Sequence, residues 1–127
     1  MRKLLTLIIF PFILLSCQKS KDATIVGDWM QIERYSKDEN GQFSWHNMSD
    51  GYANLSFSQA GTYRIVLRDP VASGNYQYNY ATRQLKLVNP LSGNANVVPV
   101  SYLDDDYLVI DWMYNGELIN KDKYQRR

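Results

Sequence analysis

Few residues of this chain combine a reactive side chain with a spacing that could support catalysis. His46 is the single histidine of the sequence, so no second imidazole can share a zinc ion with it, and no hydroxyl is recognisably paired with it as a nucleophile. Asp104, Asp105 and Asp106 follow one another directly, whereas calcium ligands usually alternate along the chain. These residues therefore predict an exposed histidine and a solvated acidic turn. We expect a protein that is not an enzyme, with no metal site and no cofactor.

Cys17 is a different kind of candidate, because it is the only cysteine and it follows an apolar segment. Residues 1–3 carry two positive charges, and residues 4–15 form a predominantly apolar run. That run is shorter than the roughly 20 residues that span a bilayer as a helix, and its length is typical of a signal peptide. The sequence Leu-Leu-Ser-Cys at positions 14–17 resembles the lipobox of bacterial lipoproteins. The resemblance implies cleavage before Cys17 and acylation of its thiol.

Cleavage at this point divides the chain into three parts. Residues 1–16 are predicted to be a lipoprotein signal peptide, residues 17–24 a lipidated tether, and residues 25–127 the folded domain. Two or more acyl chains anchor a protein stably, whereas a single chain binds membranes only marginally. The residue after the cysteine is Gln18 and not aspartate, which by resemblance to enteric lipoproteins favours the outer membrane of a Gram-negative envelope. The sequence leaves open whether the domain faces the periplasm or the cell surface.

The remaining sequence has the pattern of an all-β domain. Apolar residues do not recur with helical spacing after residue 22, and short β-rich runs alternate with turn residues. Asn40-Gly41 and Asn115-Gly116 suit the positive φ angles of type I′ hairpin turns. Eight to nine strands joined by short turns predict one antiparallel up-and-down barrel, because closure removes exposed sheet edges. The predicted strands are 25–35, 42–46, 53–57, 62–67, 74–80, 84–88, 97–103, 107–114 and 117–126.

Several fragments, in order, resemble those of the small bacterial lipocalin-like lipoproteins. Gly27-Asp28-Trp29 resembles the G-x-W motif that opens lipocalin barrels. Residues 55–63 resemble an L-x-F-x-x-x-G-T-Y hairpin, residues 74–76 with 85–87 resemble the next hairpin, and residues 124–127 resemble the closing strand. The resemblance implies an eight-stranded lipocalin-like barrel with a hydrophobic interior. It also implies a structural pair in which Arg126 covers Trp29 and closes one end.

Two sets of residues are candidates for binding. The first would form the interior walls, either packed as a core or lining a ligand cavity, since tyrosine combines apolar area with an orienting hydroxyl. The second, Phe43 and Trp45, is predicted in an early loop, where aromatic residues can contact a protein partner. The candidate wall residues are Leu55, Phe57, Tyr63, Ile65, Tyr76, Tyr78 and Tyr80.

These sets support two functional hypotheses. In the first, a lipid-anchored envelope barrel binds a small hydrophobic ligand. In the second, a filled barrel acts as an interaction module, such as an inhibitor or immunity-type lipoprotein, on an envelope protein. The chain carries 14 Lys and Arg against 13 Asp and Glu, and its net charge becomes −1 once Arg2 and Lys3 leave with the signal peptide. We therefore expect no nucleic-acid partner.

Overall fold

The computed structural model of the protein describes residues 23–48, 53–67 and 71–127. The predicted signal peptide, the predicted lipidation site Cys17 and the predicted turns at 49–51 and 69–70 lie outside the described residues. No helix within those three ranges is long and apolar enough to cross a membrane.

The described residues form nine antiparallel strands, which confirms the prediction of an all-β domain. Short turns join most of them, so neighbours in sequence are neighbours in the sheet. The strands are β1 (Gly27–Lys37), β2 (Phe43–Asn47), β3 (Ala53–Phe57), β4 (Thr62–Leu67), β5 (Val71–Asn79), β6 (Gln84–Val88), β7 (Ala95–Leu103), β8 (Tyr107–Tyr114) and β9 (Glu117–Arg126).

Pairing of the first strand with the last closes the sheet into an eight-stranded barrel. β1 pairs with β9 from Trp29↔Arg126 to Tyr35↔Lys121, and its other edge pairs with β3 as far as Met30↔Asn54. Beyond that point the same edge of β1 pairs with β2, from Glu33 to Lys37. β2 is therefore an additional strand that extends the β1 hairpin past the barrel wall.

The first correction concerns the early loop predicted to carry Phe43 and Trp45: both residues lie on strand β2, in agreement with the strand predicted over residues 42–46. Both side chains share a face with Tyr35 of β1. The Tyr35 ring stacks on Phe43 with 5.1 Å between ring centroids, and its centroid is 5.2 Å from that of Trp45. This cross-strand aromatic cluster stabilises pairing of the two strands.

The second correction concerns Tyr80, which does not continue the stripe formed by Tyr76 and Tyr78. β5 ends at Asn79, whose side-chain oxygen accepts hydrogen bonds from the backbone N–H groups of Ala81 and Thr82. An asparagine that bonds to the backbone ahead of it starts a turn. The chain therefore leaves the sheet one residue before Tyr80.

The two Asn-Gly hairpins also differ from each other. Asn115 and Gly116 both have positive φ angles, 52° and 81°, as the predicted type I′ turn requires. In the first hairpin only Gly41 of the pair has a positive φ angle. There the Asp38 carboxylate accepts the N–H groups of Asn40 and Gln42, so a different turn forms. Hydrogen bonding, chiefly to the Gln42 N–H, lowers the pKa of Asp38.

The core fills the interior of the barrel, because alternate residues of each strand point inward. Trp29, Leu85, Leu108 and Ile110 are fully buried. The remaining members of the buried cluster come from β3, β4, β6, β7 and β9 and from the segment before β1: Ile25, Leu55, Phe57, Tyr63, Leu87, Val98, Val100 and Tyr124.

Candidate functional site

One end of the barrel is closed by Arg126 and Trp29. The guanidinium carbon of Arg126 lies 4.2 Å from the Trp29 ring centroid, a cation–π geometry. The same guanidinium donates hydrogen bonds to the carbonyl oxygens of Thr24, Val26 and Asp105, at 2.7, 2.8 and 2.7 Å. These contacts hold the segment before β1 across the end of the barrel.

Local sequence explains why the chain can cross the barrel at this point. Gly27 has a φ of +141°, and a Cβ there would lie 2.6 Å from an Arg126 nitrogen. The indole N–H of Trp29 donates to the Ile25 carbonyl at 3.0 Å. The hydroxyl of Tyr80 accepts the N–H of Ile25 at 3.1 Å, and Tyr80 is 42% exposed. Tyr80 thus binds, from outside the barrel, the segment that covers the closed end, and it does not line the interior.

Three of the predicted wall residues fill the barrel above this closed end. Leu55 and Phe57 are buried, and Tyr76 packs against their cluster. The rings of Phe57 and Tyr76 meet edge to face with 4.8 Å between centroids. The Tyr76 hydroxyl donates to the Ser58 carbonyl at 2.7 Å, and burial raises the pKa of Tyr76. These side chains form packed core in this part of the barrel.

Tyr78 also belongs to the closed half. Its ring lies edge to face with that of Tyr80, at 4.5 Å between centroids, and it packs against the buried cluster. Together with Ala23, Arg83 and Leu103 the two tyrosines border a hollow of about 80 Å³. This volume is far below the roughly 300 Å³ at which ligand cavities begin.

The opposite end of the barrel contains a larger hollow of about 330 Å³, which opens to solvent. Two of the predicted wall residues, Tyr63 and Ile65 of β4, line it together with Leu87 of β6 and Trp112 of β8. The rest of its lining comes from the end of β6, the following loop and the start of β7, and these residues are mainly polar: Asn89, Ser92, Asn94, Ala95 and Asn96. The hollow therefore combines an apolar wall with a polar rim.

Glycine is required beside this hollow. Gly74 of β5 pairs with Tyr63, and a Cβ at Gly74 would lie 2.1 Å from the Val88 carbonyl oxygen and 2.9 Å from the Tyr63 ring. Any larger residue would push β5 away from β6 or displace Tyr63. The rim loop is built by Asn89, whose side-chain oxygen accepts the Leu91 N–H at 2.8 Å.

An ion pair that the sequence analysis missed joins β1 and β9, with its carboxylate buried and its guanidinium partly exposed. Asp122 of β9 is 4% exposed, and its two oxygens accept hydrogen bonds from Arg34 of β1 at 2.7 and 3.1 Å. Asn120 adds a third hydrogen bond at 3.0 Å. Because both oxygens are engaged, the charge of Asp122 is compensated within the protein.

Two further polar side chains share this interior. Tyr124 is fully buried, and burial, followed by the nearby Asp122 charge, strongly raises its pKa, so the hydroxyl stays protonated. Gln31, the neighbour of Tyr124 across β1 and β9, is completely buried. Neither amide atom of Gln31 has a hydrogen-bond partner among the described residues. An unpaired buried amide carries a desolvation cost.

The residues first considered for chemistry lie apart on the surface. His46 is exposed on β2, with its Nε2 atom 3.2 Å from the Ser44 hydroxyl. The Asp104 carboxylate accepts the hydroxyl of Tyr102 and the N–H groups of Asp106 and Tyr107. Hydrogen bonding, chiefly from Tyr102, lowers the pKa of Asp104. In residues 23–48, 53–67 and 71–127, no three His, Cys, Asp or Glu side chains are grouped as metal ligands.

The closed eight-stranded barrel, plugged by an arginine on a tryptophan at one end and hollow at the other, is a lipocalin-like fold. Three solved structures share it. An uncharacterized protein from Bacteroides eggerthii superposes with a TM-score of 0.56 at 14% identity, covering 80% of this chain and 98% of its own. A lipocalin-like protein from Bacteroides uniformis gives 0.54 at 14% identity, covering 81% and 98%. A DUF4847 family protein from Bacteroides vulgatus gives 0.50 at 13% identity, covering 80% and 92%.

At this identity the likeness concerns the fold alone. No family model and no curated protein sequence matches the chain.

Proposed function

We propose that this protein is a lipid-anchored lipoprotein of a bacterial envelope, and that its barrel binds a small hydrophobic molecule at the open end. The proposed role is binding and not catalysis. The observation that carries the proposal is the hollow of about 330 Å³ beside Tyr63, Ile65, Leu87 and Trp112. This volume lies at the lower end of the roughly 300–1,000 Å³ found for ligand pockets.

The lining of the hollow indicates the kind of ligand. Leu87 is buried at its base and Ile65 and Trp112 are half-buried, so an apolar group entering the hollow would be removed from water on several sides. Among the described residues that line the hollow, none carries a charged side chain. The site therefore favours an uncharged apolar body, with any polar group of the ligand left at the asparagine-rich rim.

The proposed lipid anchor is compatible with this site. Residue 23, the first described residue, lies at the closed end with Tyr78 and Tyr80. A lipid on Cys17 would join the domain at that end and leave the open end unobstructed. Metabolic labelling with a palmitate analogue tests this half of the proposal: the wild-type chain should carry the label, and the Cys17→Ser variant should not. Equal labelling of both would contradict lipidation at Cys17.

Native mass spectrometry tests ligand binding. The full chain carrying Cys17→Ser, purified from a bacterial periplasm without detergent, is expected to show an added mass that disappears on denaturation. An apolar fluorophore, N-phenyl-1-naphthylamine, is the second probe, in case the natural ligand is lost during purification. Its fluorescence should rise on binding in the hollow.

A pair of tryptophan substitutions provides the matched control. Ile65→Trp places an indole in the hollow, whereas Val97→Trp places it on the outer face of β7, where Val97 is 49% exposed. The Ile65 variant should lose the added mass and the fluorophore signal, and the Val97 variant should keep both. Absence of both signals in the parent protein, or their survival in the Ile65 variant, would refute binding in the hollow.

A second candidate function is an envelope protein-interaction module. It is favoured by the exposed aromatic residues of the outer face, since Trp45 is 44% exposed and Tyr102 is 49% exposed. Phe43 contributes less, because it is half-buried beneath Tyr35. Crosslinking in intact cells with a photoreactive residue at position 45 tests this candidate. A single specific crosslinked envelope protein would favour it.

A further inference from the structure

The outer surface of the barrel carries a second depression, which lies apart from the hollow at the open end and includes Trp45 and Tyr102 of the candidate protein-interaction face. We propose that this outer groove, lined by Glu33, Trp45, Tyr102, Tyr107, Val109 and Lys123 and about 490 Å³ in volume, binds a short uncharged oligosaccharide. The groove is separate from the hollow at the open end, so this proposal does not depend on the proposed hydrophobic ligand.

The groove follows one row of side chains across four neighbouring strands. Glu33 of β1 pairs with Lys123 of β9, Lys123 pairs with Val109 of β8, and Val109 pairs with Tyr102 of β7. On β2, Trp45 lies diagonally from Glu33, because Asn47 pairs with Glu33 and Trp45 pairs with Tyr35. With neighbouring strands about 4.8 Å apart, the row from β2 to β7 covers about 19 Å. The groove is therefore elongated, with an exposed aromatic residue at each end.

The ends and the floor of the groove are apolar. Trp45 is 44% and Tyr102 49% exposed, so each offers part of its ring to solvent. Val109 points outward yet is only 8% exposed, which shows that the floor is already shielded by its neighbours. Aromatic rings that are partly exposed on a sheet present flat apolar faces with little conformational entropy to lose on binding.

The middle of the groove is polar and electrically neutral. The Lys123 ammonium lies 3.8 Å from a Glu33 carboxylate oxygen and 4.6 Å from the centroid of the Tyr107 ring. This ion pair is long, and an ammonium group has three donors while a carboxylate accepts through two oxygens. Both groups therefore retain capacity to bond a ligand. A charged ligand would meet a like charge here, whereas an uncharged one would not.

A sugar ring matches this arrangement because its faces carry C–H groups and its edges carry hydroxyls. The C–H faces can stack on Trp45 and Tyr102, while the hydroxyls bond to Glu33 and Lys123. A wholly apolar ligand would instead remove these two charged groups from water without replacing their hydrogen bonds, which is costly. Along β1, β9, β8 and β7 an added peptide strand has no free edge, since these strands are paired on both sides, and the unpaired edge of β2 lies at the end of the row opposite Tyr102.

The test uses an array of uncharged and sialylated oligosaccharides, followed by titration of the Cys17→Ser chain with the strongest uncharged binder and NMR observation of backbone amides. We expect saturable binding with a dissociation constant on the order of 1 mM, as suits a shallow open site. The shifted amides should belong to β2, β1, β9, β8 and β7, the strands that line the groove. Trp45→Ala and Tyr102→Ala should each weaken binding about tenfold, the effect of losing one stacking contact of this kind.

Tyr114→Ala is the matched control, because Tyr114 is also an exposed aromatic residue, with 68% of its surface accessible, and it lies outside the groove at the β8–β9 turn. It should bind as the parent does. Circular dichroism of each variant checks that the barrel is intact, and Tyr102→Ala provides a second test if Trp45→Ala fails to fold. Three results would overturn the proposal: no uncharged oligosaccharide binds saturably, Tyr114→Ala loses binding equally, or an envelope protein is crosslinked at position 45 and occupies the groove.

Discussion

Replacement of Arg126 by alanine should destabilise the barrel, and the size of the effect follows from the contacts at the closed end. The side chain donates three hydrogen bonds to carbonyl oxygens of residues 24, 26 and 105, each contributing about 0.8 kcal/mol at a site that water can partly reach. Its contact with Trp29 adds about 0.5 kcal/mol. We expect a loss of about 3 kcal/mol in the free energy of unfolding.

Urea denaturation followed by the fluorescence of the tryptophans measures this loss directly. For a domain of this size, a loss of about 3 kcal/mol lowers the melting temperature by roughly 12 °C. Arg127→Ala is the matched control, because it removes the adjacent arginine while the one hydrogen bond found for Arg127 comes from its backbone N–H. That variant should be as stable as the parent.

The reasoning fails on either of two results. A loss below about 1 kcal/mol in Arg126→Ala would mean that water replaces the arginine at the three carbonyl groups without cost. An equal loss in Arg127→Ala would mean that any charge at the end of β9 matters, and that the geometry on Trp29 does not.

Three further changes test the interior and the turns. Gln31→Met should raise the free energy of unfolding by about 1 kcal/mol, because the buried amide has no partner among the described residues and methionine has a similar volume. Destabilisation by this substitution would show that the amide has a bound partner. Gly74→Ala should lower the free energy of unfolding by at least about 2 kcal/mol, because the added Cβ would lie 2.1 Å from the Val88 carbonyl oxygen. An unchanged stability would show that β5 can shift. The lowered pKa of Asp104 means that its carboxylate stabilises the fold above the usual aspartate pKa and that this stabilisation is lost as the pH falls through the lowered value. Asp104→Asn should therefore lower the stability of the protein at pH 7, and its stability should approach that of the parent in strong acid. Asp105→Asn should not show this pH dependence. Parallel pH profiles of stability for all three proteins would contradict the prediction.

Strand positions were predictable because the local signals agree with the fold. The predicted bounds of β3, β4, β6, β8 and β9 match the structure, since these strands are bounded by turn residues such as Asn115-Gly116, and β3 and β6 also alternate in polarity. β7 begins two residues earlier than predicted, at Ala95, and β5 begins at Val71 and not at residue 74. Alanine and asparagine, which occur at the starts of these two strands, are weak strand formers, so pairing with the neighbouring strand decides where the strands begin.

The ion pair of Arg34 and Asp122 could not be predicted from local sequence signals. A strict period of two that starts from Trp29 would direct residues 31, 33 and 35 inward, with Arg34 on the outer face. An irregularity in the pairing between Gln31 and Glu33 reverses this order, so Arg34 turns inward to Asp122. A bulge inserts one residue and exchanges the faces beyond it, and nothing in the local sequence marks its position.

The division of the barrel into a filled half and a hollow half follows from residues that occupy equivalent alternate positions. Phe57 and Tyr76 meet near the closed end, and the Tyr76 hydroxyl is satisfied by the Ser58 carbonyl, so aromatic volume fills that half. Near the open end Gly74 follows the same inward alternation two residues before Tyr76, and it contributes no side chain. The seven wall residues proposed from the sequence therefore differ in their position along the barrel. Tyr63 and Ile65 line the hollow. Tyr76 and Tyr78 of β5 pack in the other half, and Tyr80, which follows β5, contacts the closed end from outside. The alternation of residues along each strand identifies which side chains point inward. The volume left between those side chains depends on whether neighbouring strands place a glycine or a tyrosine at the same height along the barrel axis.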